Sequence, residues 1–101
     1  MSRESLLKEV HIVTQPTRLK IINVLKEAGK PLYIEQIAKE VKGVDRRSVS
    51  FHLTTLAQHG FVKGQYREIE EPHSKGKAAK FYELTEKTDK VFQNFRTLTE
   101  G

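Results

Sequence analysis

An α+β, mostly helical fold follows from two observations on this sequence. Apolar residues recur at three- and four-residue spacing in five stretches, and one pair of short aromatic and β-branched runs lies between the fourth stretch and the fifth. The expected order is four helices, a two-stranded β hairpin and a C-terminal helix, in a single domain covering 1–101. A chain of 101 residues is about one domain's worth and can bury a modest core without metal or disulfide staples.

Each element has its own signal. Ser2 to Val13 sets Leu6, Leu7, Val10 and Val13 along one helical stripe, which must end before Pro16. Pro16 suits the first position of a second helix, where its missing amide would have had no intrahelical partner. Leu19, Ile21, Ile22, Val24, Leu25 and Ala28 cover most of that helix's circumference, so it should be the buried centre, with Gly29 as its stop. Lys30-Pro31-Leu32-Tyr33 reads as an extended link in which any strand is brief. Ile34, Ile37, Ala38 and Val41 mark a third helix that Gly43 ends. Asp45 can cap a fourth from Arg46 to about His59, with Val49, Leu53 and Leu56 inward and Gly60 as terminator. Phe61 to Arg67 and Ala79 to Leu84 are the hairpin strands, joined by a long polar tip. Thr85 can cap a last helix with Val91, Phe92, Phe95 and Leu98 on one side.

Charge narrows the partners. Lys and Arg number 18 against 13 Asp and Glu, a formal net charge of +5, so a polyanion is a natural ligand. With no cysteine there is no disulfide, thiolate metal site or thiol chemistry. The first residues carry charges at Arg3, Glu4, Lys8 and Glu9, and no run of about 18 apolar residues occurs anywhere. Secretion and membrane insertion are not expected, and a cytoplasmic location is.

Helix, helix, short link, helix, tight turn, helix and hairpin is the winged helix-turn-helix order, in which the second helix of the motif enters a DNA major groove. The fourth helix should be that reader. With its buried stripe on Val49, Leu53 and Leu56, a step of about 100° per residue places Arg47, Phe51, Thr54, Thr55 and Gln58 opposite, flanked by Ser48 and Ser50, with Arg46 at the helix start. Arginine can pair with guanine, hydroxyls with bases or phosphates, and an aromatic edge with a thymine methyl. Phe51 could instead lean sideways onto the third helix. In the hairpin tip Lys75 and Lys77 could grip phosphates, although Glu68, Glu70 and Glu71 stand close by and the tip could equally be an ordinary solvated loop.

The run from Gln15-Pro16-Thr17-Arg18 through Leu25 resembles the opening motif of ArsR-type winged-helix repressors. Ser48-Val49-Ser50-Phe51-His52-Leu53, Leu56, Gly60-Phe61-Val62 and Gly76 to Leu84 extend the resemblance over about residues 15 to 85. It implies a homodimer built from the terminal helices, occupying a palindromic operator and repressing transcription. The residues point the same way: Leu6, Val10 and Val13 with Val91, Phe92, Phe95 and Leu98 are stripes that need cover, unless they pack on their own domain. The sequence departs from the family's metal sensors, having Ile34-Glu35-Gln36-Ile37 where they carry paired cysteines and no histidine in the last helix. No metal or cofactor is therefore expected, and any small-molecule effector is unspecified. Ser50 and His52, two residues apart on a helix, point about 200° apart and cannot form a catalytic dyad, so no enzyme is expected. The alternative function is a protein-binding winged helix in a transcription assembly, which should present a more apolar fourth helix.

Overall fold

The computed structural model describes residues 2–74 and 76–100. Among these are five helices: α1 (Arg3–Val13), α2 (Pro16–Ala28), α3 (Ile34–Glu40), α4 (Arg46–Gln58) and α5 (Glu86–Glu100). The strands are β1 (Leu32–Tyr33), β2 (Val62–Glu68) and β3 (Ala78–Leu84), with a 3-10 turn at Pro72–Ser74 between the last two. This is the expected winged helix-turn-helix order, with one correction to the strand count. The link after α2 joins the wing as a third strand, in antiparallel order β1-β3-β2, pairing Leu32 with Tyr82 and Tyr33 with Phe81. Two residues are too few to announce a strand by alternation, and their partners lie about fifty positions away in sequence.

Local chemistry starts and stops the helices where polar side chains can replace missing backbone partners. The Ser2 hydroxyl accepts from the Ser5 amide, Gln15 Oε1 from the Arg18 amide, and Asp45 Oδ1 from the Ser48 amide at 2.7 Å. At the other end of α4, the Gly60 amide donates to the Ala57 carbonyl and the Phe61 amide to the Leu56 carbonyl, with Gly60 at φ 79°. That is a Schellman termination, and it needs the left-handed conformation that glycine adopts without strain. It also turns Phe61 straight back into the core, where it is fully buried.

The core joins every helix. Val13, Ile21, Ile37, Val49, Leu53, Leu56 and Phe61 are each 0% exposed. At about 1.5–3 kcal/mol for each fully buried large apolar side chain, this cluster outweighs any surface ion pair in fixing how the helices sit. α2 is less central than its composition implies, since Leu19 remains 41% exposed while Ile21, Ile22 and Leu25 are buried.

The terminal helices meet each other. α1 packs against α5 within the same chain, and Leu6, Val10, Val13 and Val91 are all buried there. Expected to line a contact with a second copy, these four spend most of their apolar surface on the chain's own core. Phe92, Phe95 and Leu98 are only half-buried against it and Leu7 is exposed. A helical stripe identifies a face that must be covered without stating by what.

The junction between wing and α5 is polar and tightly tied. Thr85, expected as a helix cap through its hydroxyl, donates that hydroxyl to the Gly60 carbonyl at 2.6 Å. Thr88, which is buried, donates its own to the Phe61 carbonyl, also at 2.6 Å. Lys87 Nζ reaches the His59 carbonyl at 2.6 Å, lies 4.7 Å from the Phe61 ring centroid and pairs with Glu9 at 3.4 Å. The end of α4 is thereby bound to both α1 and α5. Thr88→Val should cost about 0.5–1.5 kcal/mol by urea denaturation, the worth of one hydrogen bond. A larger loss is not expected, because the Phe61 carbonyl keeps a second donor in the Thr85 amide.

Candidate nucleic-acid interface

α4 presents two sides of opposite character. Val49, Leu53 and Leu56 are 0% exposed, while Phe51 is 64% exposed and Arg47, Ser50, Thr54 and Gln58 are also on the surface. Ser48 and Thr55 are half-buried along one flank. Phe51 keeps most of its surface open to solvent. Its described aromatic contact is with the neighbouring His52 ring, edge-on at 5.2 Å. The Thr54 and Thr55 hydroxyls donate back to the Ser50 and Phe51 carbonyls, which leaves their oxygens available as acceptors on the outer surface.

The two flanks of α4 are held differently. On one side Arg46 donates through Nε and NH2 to Glu35 Oε1 of α3, at 3.2 and 2.9 Å. Both side chains are at least half exposed, so this ion pair is worth about 0–1 kcal/mol and can exchange for another anion. On the other flank Arg18, at the start of α2, lies 3.1 Å from His52 Nδ1 through NH1 and donates through Nε to the Ile12 carbonyl at 2.6 Å. Burial, reinforced by the Arg18 charge, holds the His52 pKa below its ordinary value. His52 is accordingly a support for the helix rather than half of a dyad with Ser50. Arg18 was legible as part of the opening motif, but nothing in its spacing announced a partner 34 positions away.

Beside α4 the wing forms one wall of an open cleft of about 570 Å³, whose lining includes Arg46, Ser50, Tyr66, Lys77 and Lys80. Lys77 is thus brought to the same cleft as the helix residues, whereas Lys75 lies outside the described residues. Tyr66, 74% exposed, was not singled out by the sequence. It stands directly across from Lys80 in the β2–β3 register, and the Lys80 ammonium sits 5.8 Å from both the Tyr66 and Tyr82 ring centroids. The Lys80 side chain lies over the bare backbone of Gly64, where a Cβ would come within 2.5 Å of it unless the lysine shifted. Glu71 does not crowd the cleft as a free charge. It accepts from the Tyr33 hydroxyl at 2.9 Å and from Gln36 Nε2 at 3.4 Å, tying the wing to β1 and α3.

The profile of the helix-turn-helix domain matches residues 13–65, which run from the end of α1 through α4 into β2. The chain belongs to the helix-turn-helix domain family. No curated protein matches it in sequence. Among solved structures it is similar to diamide-treated YodB of B. subtilis, with TM-score 0.73, 19% identity and coverage of 99% of this chain and 90% of that one. A MarR-family regulator from Enterococcus faecalis V583 gives TM-score 0.73 at 12% identity, covering 99% and 84%. A homodimeric winged helix-turn-helix DNA-binding domain from Mycobacterium bovis, named a possible ArsR-family regulator, gives 0.59 at 21%, covering 99% and 88%. At these identities the likeness is one of fold, and it spans several groups of regulators rather than the ArsR type alone. Among the described residues no helix of this helix-turn-helix chain is long and apolar enough to cross a membrane.

Proposed function

We propose that the chain is a sequence-specific DNA-binding transcription regulator that lays α4 in the major groove of a duplex. The observation that carries this is the exposed face of Arg47, Ser50, Phe51 and Thr54, set directly opposite a wholly buried anchor. A rigid helix showing a cation, hydroxyls and one apolar ring suits base edges and a thymine methyl together. The net charge of +5 supports the same partner, and the cleft at the wing offers Lys77 and Lys80 to the adjoining phosphates. Arg46 joins them by exchanging Glu35 for a phosphate.

In this reading the regulator acts as a homodimer on a palindrome whose half-sites are about one helical turn, 34 Å, apart, and represses by covering a promoter. The Gln15 to Leu25 and Ser48 to Leu53 motifs favour the ArsR type. The second copy meets Phe92, Phe95 and Leu98, the part of the expected interface that the chain does not itself bury. Phe95→Asp should place a charge in that contact and release monomers in sedimentation, with the helical circular dichroism kept. A dimer of undiminished affinity would move the interface elsewhere.

Selection of bound sequences from random duplex DNA tests the core of the proposal, and recovery of no enriched site would remove it. Lys77→Ala should weaken binding to the selected site and to unrelated DNA alike, and reduce the salt slope by about one unit if its ammonium neutralises one phosphate. An unchanged slope would take the wing out of the footprint.

A further inference from the structure

We infer that Arg18 and His52 are a positioning pair that keeps the recognition helix in its reading attitude only while the His52 ring is neutral, so that acid weakens DNA binding. This rests on the proposal that α4 contacts DNA. Arg18 joins three elements at one point. Its amide is held by the Gln15 side chain at the start of α2, its Nε by the Ile12 carbonyl in the last turn of α1, and its NH1 faces His52 on α4. A guanidinium has donors only and stays charged, so the short contact of 3.1 Å requires His52 Nδ1 to be an unprotonated acceptor. The ring's single proton then resides on Nε2.

Protonation of Nδ1 would set donor against donor and place two positive charges side by side. No carboxylate among the described residues pairs with the ring to soften that. From α3, Glu35 is engaged with Arg46 on the other flank of α4, and from the wing Lys77 and Lys80 line the cleft on that same flank. From α1 and α5, Glu9 and Lys87 meet at the far end of α4, beside the His59 carbonyl. Burial, with the Arg18 charge second to it, lowers the pKa of the ring from 6.5. The contribution of the neutral ring is therefore complete above pH 6.5 and drains away as the pH falls through the lower folded-state value.

This effect has the opposite sign to the ordinary one. Acid ordinarily adds positive charge to a protein surface, and that strengthens attachment to a polyanion. Acid weakening thus isolates the buttress. Expulsion of Arg18 would also release its hold on the end of α1, so the loss is felt as reorientation of α4 and not as one missing contact.

The test measures affinity of the full chain for its selected duplex at about pH 7.5 and at a lower pH at which ring-nitrogen NMR shows His52 protonated in the free protein. The same comparison is made for His52→Gln, whose amide oxygen can accept from Arg18 but cannot titrate. Wild type should lose affinity on acidification by up to about tenfold per pH unit, the limit for one linked proton, while His52→Gln holds or gains. His52→Asn repeats the measurement if the longer amide does not fold. Wild type that binds no more weakly in acid, or a variant that loses as much, overturns the inference. Ring nitrogen NMR shifts of the free protein provide an arm that needs no DNA. An unprotonated Nδ1 at the higher pH is expected, and a protonated one overturns the pair itself. Failure to bind any duplex at either pH, with Nδ1 unprotonated, would instead overturn the DNA-binding role and with it the acid effect.

Discussion

Phe61→Ala should lower the unfolding free energy by about 3–5 kcal/mol, the cost of deleting a fully buried aromatic ring whose cavity cannot collapse. Phe61 stands where α4, the wing and α5 converge. Its ring is 0% exposed, the Lys87 ammonium sits over it, and its backbone closes the Schellman turn on the Leu56 carbonyl. Its carbonyl accepts from the Thr88 hydroxyl and the Thr85 amide, so the surrounding backbone is pinned and cannot move inward to fill the void. A loss this large is a big fraction of the total stability of a domain of this size, and partial unfolding near physiological temperature should follow. Urea titration followed by circular dichroism measures it. A loss below about 1 kcal/mol would mean that the junction relaxes, and that the polar ties around Lys87 and Thr88 hold the elements together without the ring.

Arg47→Ala should leave stability unchanged within about 0.5 kcal/mol, because its side chain is exposed on the side of α4 away from the core. Binding to the selected operator should weaken by roughly 1–3 kcal/mol, with relaxed preference at one base position, if the guanidinium reads a base edge. Competition against every single-base variant of the site distinguishes this from a phosphate contact. Equal weakening on all sequences would reassign Arg47 to the backbone, and no weakening at all would remove the central cation from the proposed reading face. The contrast with Phe61 is useful, since one residue carries architecture with no expected role in recognition and the other carries the reverse.

Most of the fold was legible because its signals are local. Pro16, Gly29, Asp45 and Gly60 act within one turn of where they stand, so each helix boundary they imply falls within a residue or two of the observed one. The two-sided character of α4 was legible for the same reason. A step of about 100° per residue decides which side chains oppose Val49, Leu53 and Leu56 before any tertiary contact is known.

What the linear pattern could not supply was the identity of the surface that covers an apolar stripe. Leu6, Val10, Val13 and Val91 read identically whether a second copy or the chain's own opposite end lies against them, and here it is the chain's own end. The third strand, the Tyr33–Glu71 tie and the Arg18–His52 contact share that character. Their partners are brought together only by the packing of α2, α4 and the wing, across 38 residues for Tyr33 and Glu71 and 34 for Arg18 and His52.

By itself, then, the sequence determined the helices, the hairpin and the outward face of α4, since backbone capping and helical periodicity are short-range. Tertiary structure alone decided which stripes are core, where Arg46 and His52 find partners and how the wing walls the cleft beside α4. Those outcomes depend on distances between elements, and such distances are set by the whole packed core rather than by any single stretch of chain.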